Sequence, residues 1–343
     1  MKDHPLYHLL LGRWREMMRE PGVLFWIFGF PLLMSVGLGL AFREKGPETM
    51  LVAVVEGPTA AEAAARISSL PGLEAEICDE TSARQKLATG SAGVVVFSSS
   101  PERLLMDPSR PNSRMVEIAV RYALSSPPEE RPGRDLELVE ERTPGKRYID
   151  FLIPGILGLN LMSGGLWGVG WALTQARIQK LLKRLAATPL KRSHYLASYI
   201  GFRAFMSLIE AAFLLLAGYF LFDVHLRGSV VDVALLVLLA AFSFSALGLL
   251  AGSRAQNPQT AGGVINLVTL PMFLLSGVFF SAQLFPSWFQ PFVQALPLTA
   301  FNDALREIVN KGSSLFSVPL EALNLLAWGF ASSFVALKIF RWT

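Results

Sequence analysis

Apolar residues gather along this chain into long runs that carry few charges. A helix of about 20 apolar residues is long enough to cross the hydrocarbon core of a bilayer. Because 22 residues precede the first run and Arg43-Glu44 follow it, we interpret that run as a retained signal-anchor helix rather than a cleaved signal peptide. The pattern predicts an α-helical polytopic membrane protein with six transmembrane helices. They lie near residues 23–42, 149–173, 196–222, 230–252, 262–280 and 319–340.

Residues 43–147, between the first and second runs, have a different pattern from the rest of the chain. Short apolar stretches alternate with helical patterns, and such alternation is typical of a layered α/β domain. Thr59 and Glu62 have the spacing of a capping box at the start of the first helix. We therefore predict a small α/β domain inserted between transmembrane helices 1 and 2. Its strands are expected near 51–55, 75–78, 93–97, 103–106 and 136–139, and its helices begin near residues 59, 81 and 113.

Two further segments are amphipathic. In residues 1–22, leucines, Trp14 and two methionines share one helical face and basic residues share the other, which predicts an interfacial helix on the inner leaflet. The alternative is a basic flank that only orients the first span. Residues 176–188 carry an apolar stripe at helical spacing among basic residues, which favours a helix that docks on a partner; a solvated basic loop would explain the charge but not the stripe. The residues predicted to couple to that partner are Arg177, Ile178, Leu181, Leu182, Arg184 and Leu185.

Composition and charge fix the class and the orientation. The chain is 52% hydrophobic and only 17% charged, against about 25% charged in a soluble domain. The loop between the second and third runs carries six Lys and Arg residues and no acid, so we expect it, and both termini, to be cytoplasmic, with residues 43–147 outside. The basic residues lie beside apolar runs, which indicates membrane lipid rather than nucleic acid as a partner. Cys78 is the one cysteine, which excludes an internal disulfide or a cysteine-based metal cluster.

Polar residues inside the apolar runs are candidates for function. Arg203 and Glu210 are seven residues apart on nearly the same helical face, and a charge at that depth needs a partner or a polar pathway. The pair has either a structural role between helices or a functional one. Asn160 and Asn266 are expected to bridge helices by hydrogen bonds.

The segment after the fifth run is rich in aromatic residues and broken by prolines. Irregular backbone at membrane depth requires cover from protein or water. We therefore predict an outer re-entrant pair of short helices over residues 281–312 that closes the outer end of a pathway. Its gate candidates are Phe285, Pro286, Trp288 and Phe289.

Two stretches resemble the ABC-2 type permeases. Residues 182–190, which read LKRLAATPL, are similar to the segment that follows the second span of that family. Residues 266–280, which read NLVTLPMFLLSGVFF, continue through Pro286-Ser287-Trp288-Phe289 and Leu296-Pro297-Leu298-Thr299 to Gly312, and this ordered set resembles the fifth span and outer hairpin. One span, a large outer domain and five more spans resemble the bacterial drug- and antibiotic-export branch. Family members usually carry Arg-Glu and then Gly-Thr before the basic segment, whereas this chain reads Arg177-Ile178-Gln179-Lys180-Leu181.

The resemblance implies an ATP-binding-cassette exporter of the bacterial cytoplasmic (inner) membrane. This chain would be its permease subunit, paired with a second permease subunit as a homodimer or a related heterodimer. Two ATP-binding subunits would hold ATP and Mg. The implied cargo is amphiphilic drugs, lipid-like molecules or similar metabolites.

The residues themselves indicate that the energy comes from a partner. The chain has no GxxxxGK[ST] sequence, and Pro144-Gly145-Lys146-Arg147 lacks the upstream glycine and the Ser or Thr that would hold Mg²⁺. We therefore expect no enzymatic site and no cofactor bound by this chain. Two alternatives remain. One is a membrane-anchored ligand sensor that signals through its basic cytoplasmic loop. The other is an ion-coupled carrier that uses Glu210, although the inverted repeats common in such carriers are not apparent.

Overall fold

The computed structural model describes residues 5–42, 49–70, 72–89, 91–98, 103–107, 113–125, 147–181, 184, 192–253, 255 and 257–339. The chain divides into two compact units, and each is described by itself. One unit contains Met1–Arg43 and Glu141–Thr343, and the other contains Glu44–Glu140. The elements in chain order are α1 (Pro5–Arg19), α2 (Pro21–Ala41), β1 (Met50–Val55), α3 (Ala60–Ser68), β2 (Leu73–Cys78), α4 (Glu80–Thr89), β3 (Val94–Phe97), β4 (Arg103–Met106), α5 (Ser113–Ser125), α6 (Tyr148–Ile178), α7 (Arg192–Phe222), α8 (Val230–Gly252), α9 (Pro258–Leu275), α10 (Gln290–Ala295), α11 (Pro297–Lys311) and α12 (Pro319–Ile339).

Six of these helices are long and apolar enough to cross a membrane: α2, α6, α7, α8, α9 and α12. The predicted polytopic helical fold is therefore confirmed. Two of the predicted helix ends differ from the structure by five residues. Helix α6 continues to Ile178 rather than ending near residue 173. Helix α9 ends at Leu275 rather than near residue 280, because Gly277 adopts a left-handed conformation with a φ of 66° that a helix cannot continue through.

Most residues of α6 and α8 are buried, whereas most residues of the other four spans are partly buried or exposed. The close contact between α6 and α8 depends on glycine residues. Residues Gly164–Trp171 of α6 form a widened π-helical segment. A Cβ on Gly170 would lie 2.7 Å from the carbonyl oxygen of Gly248, and one on Gly252 would lie 2.6 Å from the carbonyl oxygen of Gly170. Any side chain at these positions would push the two helices apart. Small residues at membrane helix interfaces generally allow such close approach.

Prolines inside three spans, at Pro31, Pro154 and Pro271, leave backbone carbonyl groups without their helical partners. Pro31 has no N–H, so the carbonyl group of Ile27 cannot receive the usual i+4 hydrogen bond in α2. Pro154 has the same effect on the carbonyl group of Asp150 in α6. A bilayer contains no water to satisfy such groups, so another part of the protein must donate to them.

The second unit is the predicted small α/β domain, and it lies between the first and second spans in the chain. Its sheet has the order β2-β1-β3-β4. Strand β1 runs parallel to β2 and β3, while β4 is antiparallel to β3. Helices α3 and α5 pack against the face that contains Val52 and Val96, and α4 packs against the face that contains Ala53 and Val95. The strand predicted near 136–139 lies outside the described residues.

The predicted capping box of this domain is wrong. Thr59 is the N-cap of α3, but its side chain makes no capping hydrogen bond. Glu62 instead pairs with Arg66 one turn later, at 2.6 Å. The next helix is capped by a residue that the sequence pattern missed, since the backbone N–H of Ser82 donates to the Asp79 carboxylate at 3.1 Å. Asp is a strong N-cap residue, and it moves the start of α4 to Glu80.

Candidate functional site

A buried ion pair lies in the middle of α7. The Nη1 of Arg203 lies 2.6 Å from Oε1 of Glu210, and the Nη2 lies 2.7 Å from Oε2. Both side chains are buried. Two parallel charge-assisted hydrogen bonds are the strongest geometry that a guanidinium and a carboxylate can adopt. The pair thus gives each charge a partner at a depth where lipid would not solvate it.

Two neighbouring spans complete this cluster. Asn160 of α6 donates from Nδ2 to Oε2 of Glu210 at 3.3 Å and to the carbonyl oxygen of Ile27 at 3.0 Å. The carbonyl group of Ile27 is the one that Pro31 leaves without a helical donor. Gly164 lies against the guanidinium of Arg203, and a Cβ there would overlap it. One asparagine therefore links the ion pair of α7 to the proline-broken turn of α2.

The structure brings together three of the four polar residues predicted within the spans. Arg203, Glu210 and Asn160 form the cluster, whereas Asn266 lies on the exposed side of α9, away from it. Within the described part of the chain, the side chain of Asn266 makes no hydrogen bond. The functional roles of these four polar residues stay predictions.

The second span, α6, extends into the segment that was predicted as a separate coupling helix. A helix was predicted to start at residue 176, but Arg177 and Ile178 belong to the second span, which ends there. Lys180 then adopts a left-handed φ of 55°, so the chain turns after Ile178. Ile178, Leu181 and Arg184 are exposed, as a docking surface requires. Leu182 and Leu185 lie outside the described residues.

Arg177 points into the bundle. Its Nη1 donates to the carbonyl oxygens of Gly252 at 3.1 Å and Ala255 at 3.0 Å, and its Nη2 donates to that of Ser253 at 2.8 Å. These carbonyl groups belong to the last residue of α8 and the residues just after it, where a helix leaves its acceptors unsatisfied. Arg177 therefore joins the end of α6 to the end of α8, and its predicted contact with a partner remains a prediction.

At the opposite end of the bundle, α11 attaches to both α6 and α9. The guanidinium of Arg306 lies 3.6 Å from the ring centroid of Phe151. Its Nη2 donates to the carbonyl oxygens of Phe151 at 3.2 Å and Gly277 at 2.5 Å. Asn302 donates to the carbonyl oxygen of Ser276 at 2.9 Å. One polar face of α11 thus satisfies the backbone where α9 ends.

Asn310 of α11 completes this attachment. It donates at 3.1 Å to the carbonyl oxygen of Asp150, the group that Pro154 leaves without a helical donor. The sequence interpretation missed Asn310, Asn302 and the contacts of Arg306. A proline within an apolar run was the available signal, because the carbonyl group four residues before it needs a donor from elsewhere.

The predicted aromatic gate residues lie before α10 in the chain. Trp288 is 78% exposed, Pro286 is exposed, and Phe285 and Phe289 are partly buried. Phe289 contacts both Phe285 and Trp288 through its ring, with centroids 5.9 and 5.3 Å away. Their role as a gate stays a prediction. In the described ranges, no group of three His, Cys, Asp or Glu residues is close enough to hold a metal ion.

These features define a polytopic helical membrane protein with an α/β domain inserted after its first span. Residues 21–338 match the family described as "ABC-2 family transporter protein", and the chain belongs to this family. It is 29% identical to the inner membrane transport permease YadH of Escherichia coli over 148 residues, which are 43% of this chain and 57% of YadH.

Two other relatives differ in how much they share with this chain. The probable multidrug ABC transporter permease YbhR of Escherichia coli is 24% identical over 257 residues, which are 71% of this chain and 69% of YbhR. ABC transporter G family member 20 of Dictyostelium discoideum is 27% identical over 197 residues, which are 57% of this chain and 27% of that protein. The chain thus spans little over half of YadH and about a quarter of the Dictyostelium protein.

Proposed function

We propose that this chain is the permease subunit of an ATP-binding-cassette exporter. The observation that carries the proposal is the family match over residues 21–338, which covers the first five apolar helices and all but the last residue of the sixth. The exporter moves amphiphilic drugs, lipid-like molecules or similar metabolites out of the cytoplasm or the inner leaflet. The name of YbhR, a probable multidrug permease, supports this class of cargo. Two ATP-binding subunits hydrolyse ATP with Mg, and a second permease subunit completes the pathway.

The exposed end of α6 is the contact for the ATP-binding subunit. Ile178 and Leu181 offer apolar surface beside the positive charge of Arg184, and an apolar helical surface of this kind can seat in a groove of a partner. Arg177 supports transmission of the motion, because it holds the carbonyl groups at the end of α8. A force applied to this surface therefore moves α6 and α8 together, and these are the two mostly buried spans.

Orientation follows from the same surface. The ATP-binding subunits are cytoplasmic, so the ends of α6 and α8 joined by Arg177 face the cytoplasm. Both termini are then cytoplasmic, and the α/β domain is outside. The end of the bundle closed by Arg306 and Asn310 is the outer end, where the exported molecule leaves.

The proposal is tested by co-expressing the chain with candidate ATP-binding subunits from the same genome and purifying the complex that forms. Addition of an amphiphilic cationic drug should stimulate ATP hydrolysis by the complex in lipid nanodiscs. The double variant Ile178→Asp, Leu181→Asp should reach the membrane normally and lose the stimulation, because two carboxylates cannot enter an apolar groove without desolvation. Ile77→Asp, at an exposed position of the α/β domain, is the matched control. A double variant that remains stimulated would refute the coupling surface, and a wild-type complex that shows no stimulation by drugs or lipids would refute the exporter.

A further inference from the structure

Helix α5 of the α/β domain is apolar on two sides. Its inner side packs Val116 and Val120 into the core of the domain. Its other side presents Met115, Ile118 and Tyr122, which are 67%, 64% and 43% exposed. We call these three residues the α5 stripe. Their spacing of three and four residues places them on one face of the helix, so a single partner surface covers all three.

The α5 stripe stands out within its domain. Outside the stripe, the described residues of this domain expose one large apolar side chain, Ile77 of β2. Single apolar residues are ordinary on a protein surface, whereas a contiguous row of them marks a contact with another protein or with a membrane. The stripe is therefore a contact surface whose partner lies outside this domain.

Basic side chains border the α5 stripe. Arg114 and Arg121 are exposed beside Met115 and Tyr122. Arg121 pairs with the carboxylate of Glu117 at 2.8 Å, so the net charge of this helix is positive. An apolar row with an aromatic residue and flanking basic residues is typical of helices that lie in the interface of a bilayer. There the lipid phosphate groups accept hydrogen bonds from guanidinium groups.

The connection to the first span brings this surface within reach of the bilayer. Residues 42–49 join the end of α2 at Ala41 to the start of β1 at Met50. A connection of this length spans at most about 30 Å, and a domain of this size is about 30 Å across. Every face of the domain can therefore reach the membrane surface, and the α5 stripe is the face whose chemistry suits lipid.

The size of the stripe favours lipid over a second copy of the chain. A standard protein interface buries about 800 Å² and about 20 to 30 residues on each partner, and the stripe has three residues. Contact with a membrane to which the domain is already attached needs less area, because the tether gives the contact a high effective concentration.

We propose that the α5 stripe binds the surface of the bilayer. Met115 and Ile118 enter the boundary between headgroups and acyl chains, and Arg114 binds the phosphate groups of anionic phospholipids. The α/β domain is then held against the membrane rather than free on its two connections. This proposal goes beyond the exporter function, and the proposed orientation makes the leaflet the outer one.

Quenching by nitroxide lipids tests the contact in the full chain. In a Cys78→Ser background, Ile118→Cys carries the fluorophore NBD. Gln85→Cys is the matched control, because it is exposed on α4 and α4 packs against the opposite face of the sheet. The protein is placed in nanodiscs of phosphatidylcholine and phosphatidylglycerol, with or without lipid that carries a doxyl group near the headgroup. Doxyl lipid should lower the fluorescence at position 118 about threefold, since the label lies at the acyl boundary, and should leave position 85 unchanged.

Three results would overturn the proposal. Equal quenching at positions 118 and 85 would mean that the domain has no preferred face toward the lipid. An unquenched label with the emission of an apolar environment would mean that protein covers the stripe, and a disulfide-linked dimer of Ile118→Cys would identify that protein as a second copy. An unquenched label with the emission of an aqueous environment would mean that the stripe stays in water.

Substitutions at exposed positions test the two kinds of contact. Met115→Asp should abolish the quenching at position 118, because a carboxylate enters an apolar region only at a high desolvation cost. Gln85→Asp is its control and should leave the quenching as it is. Arg114→Gln should weaken the quenching in nanodiscs that contain phosphatidylglycerol and leave it unchanged in pure phosphatidylcholine. Full quenching in Met115→Asp would overturn the proposal.

ATP hydrolysis by the complex in the same nanodiscs separates this proposal from the exporter function. Stimulation by an amphiphile without quenching at position 118 would overturn the lipid contact and leave the exporter standing. Quenching at position 118 in a complex that no amphiphile stimulates would support the lipid contact and refute the exporter.

Discussion

At the scale of single residues, asparagine and arginine side chains bind backbone carbonyl groups that the helices leave free. Asn160 and Asn310 serve turns broken by proline, while Arg177 and Arg306 serve helix ends. The sequence predicted that Arg203 and Glu210 share a face, because seven residues are close to two helical turns. It could not predict the acceptors of Asn160, because these depend on which spans become neighbours.

The Arg203–Glu210 pair gives a prediction at this scale. Glu210→Ala leaves the guanidinium of Arg203 buried without its partner, which should lower the free energy of unfolding by about 3–5 kcal/mol. Most of the assembled protein should then be lost from the membrane. Arg203→Ala should cost a similar amount. The double variant Arg203→Met, Glu210→Leu removes both charges and should recover much of the yield. Size-exclusion chromatography of the solubilised protein measures the assembly.

Glu62→Ala, which removes an exposed pair with Arg66, is the control and should have no measurable effect. Full yield and full thermal stability for Glu210→Ala would show that the carboxylate is not a structural partner of Arg203. Normal yield with altered export of cationic drugs would indicate that Glu210 lines the pathway.

At the scale of elements, the sequence predicted the existence of the spans better than their ends. Hydropathy locates a run, but α6 continues beyond its apolar run because Arg177 finds three carbonyl acceptors at the end of α8. Helix α9 stops before its apolar run does, because of the left-handed Gly277. Both causes are tertiary or conformational, so hydropathy does not contain them. In the same way, α11 was predicted as a helix, but its polar attachment to α6 and α9 was missed.

The attachment of α11 predicts the effect of losing Arg306. Arg306→Ala removes the donor to the carbonyl groups of Phe151 and Gly277, so the free energy of unfolding should fall by about 2–4 kcal/mol. Lys311→Ala on the same helix removes only an exposed pair with Glu307 and is the control. Thermal unfolding in detergent should show a lower midpoint for Arg306→Ala alone. Equal midpoints for the two variants would mean that α11 is held by its apolar contacts.

At the scale of the whole molecule, six spans and one inserted α/β domain followed from hydropathy and from the alternation of strands and helices. The order of the strands did not follow, because β1 lies between β2 and β3, and a parallel pair can form on either side of a strand. Orientation in the membrane rests on the distribution of Lys and Arg and is a physical property that can be measured directly.

Accessibility to a membrane-impermeant maleimide tests this orientation. Burial raises the pKa of the Cys78 thiol, which slows its reaction, and Cys78→Ser removes it from the background altogether. In that background, Glu74→Cys in the α/β domain should be labelled in intact cells. Leu181→Cys should be labelled only after the membrane is opened. Labelling of Leu181→Cys in intact cells would reverse the proposed orientation.

ATP-driven transport by the reconstituted complex tests the proposed exporter most directly. Proteoliposomes that contain this chain and its ATP-binding subunit, with the nucleotide sites facing outward, are supplied with a fluorescent amphiphilic cation and Mg-ATP. We expect accumulation of the dye inside the vesicles that depends on hydrolysis and is abolished when the lysine of the partner's phosphate-binding loop is replaced by alanine. Hydrolysis of ATP with no movement of this dye, a labelled phospholipid or a neutral amphiphile would contradict the assignment of this chain as the permease of an exporter.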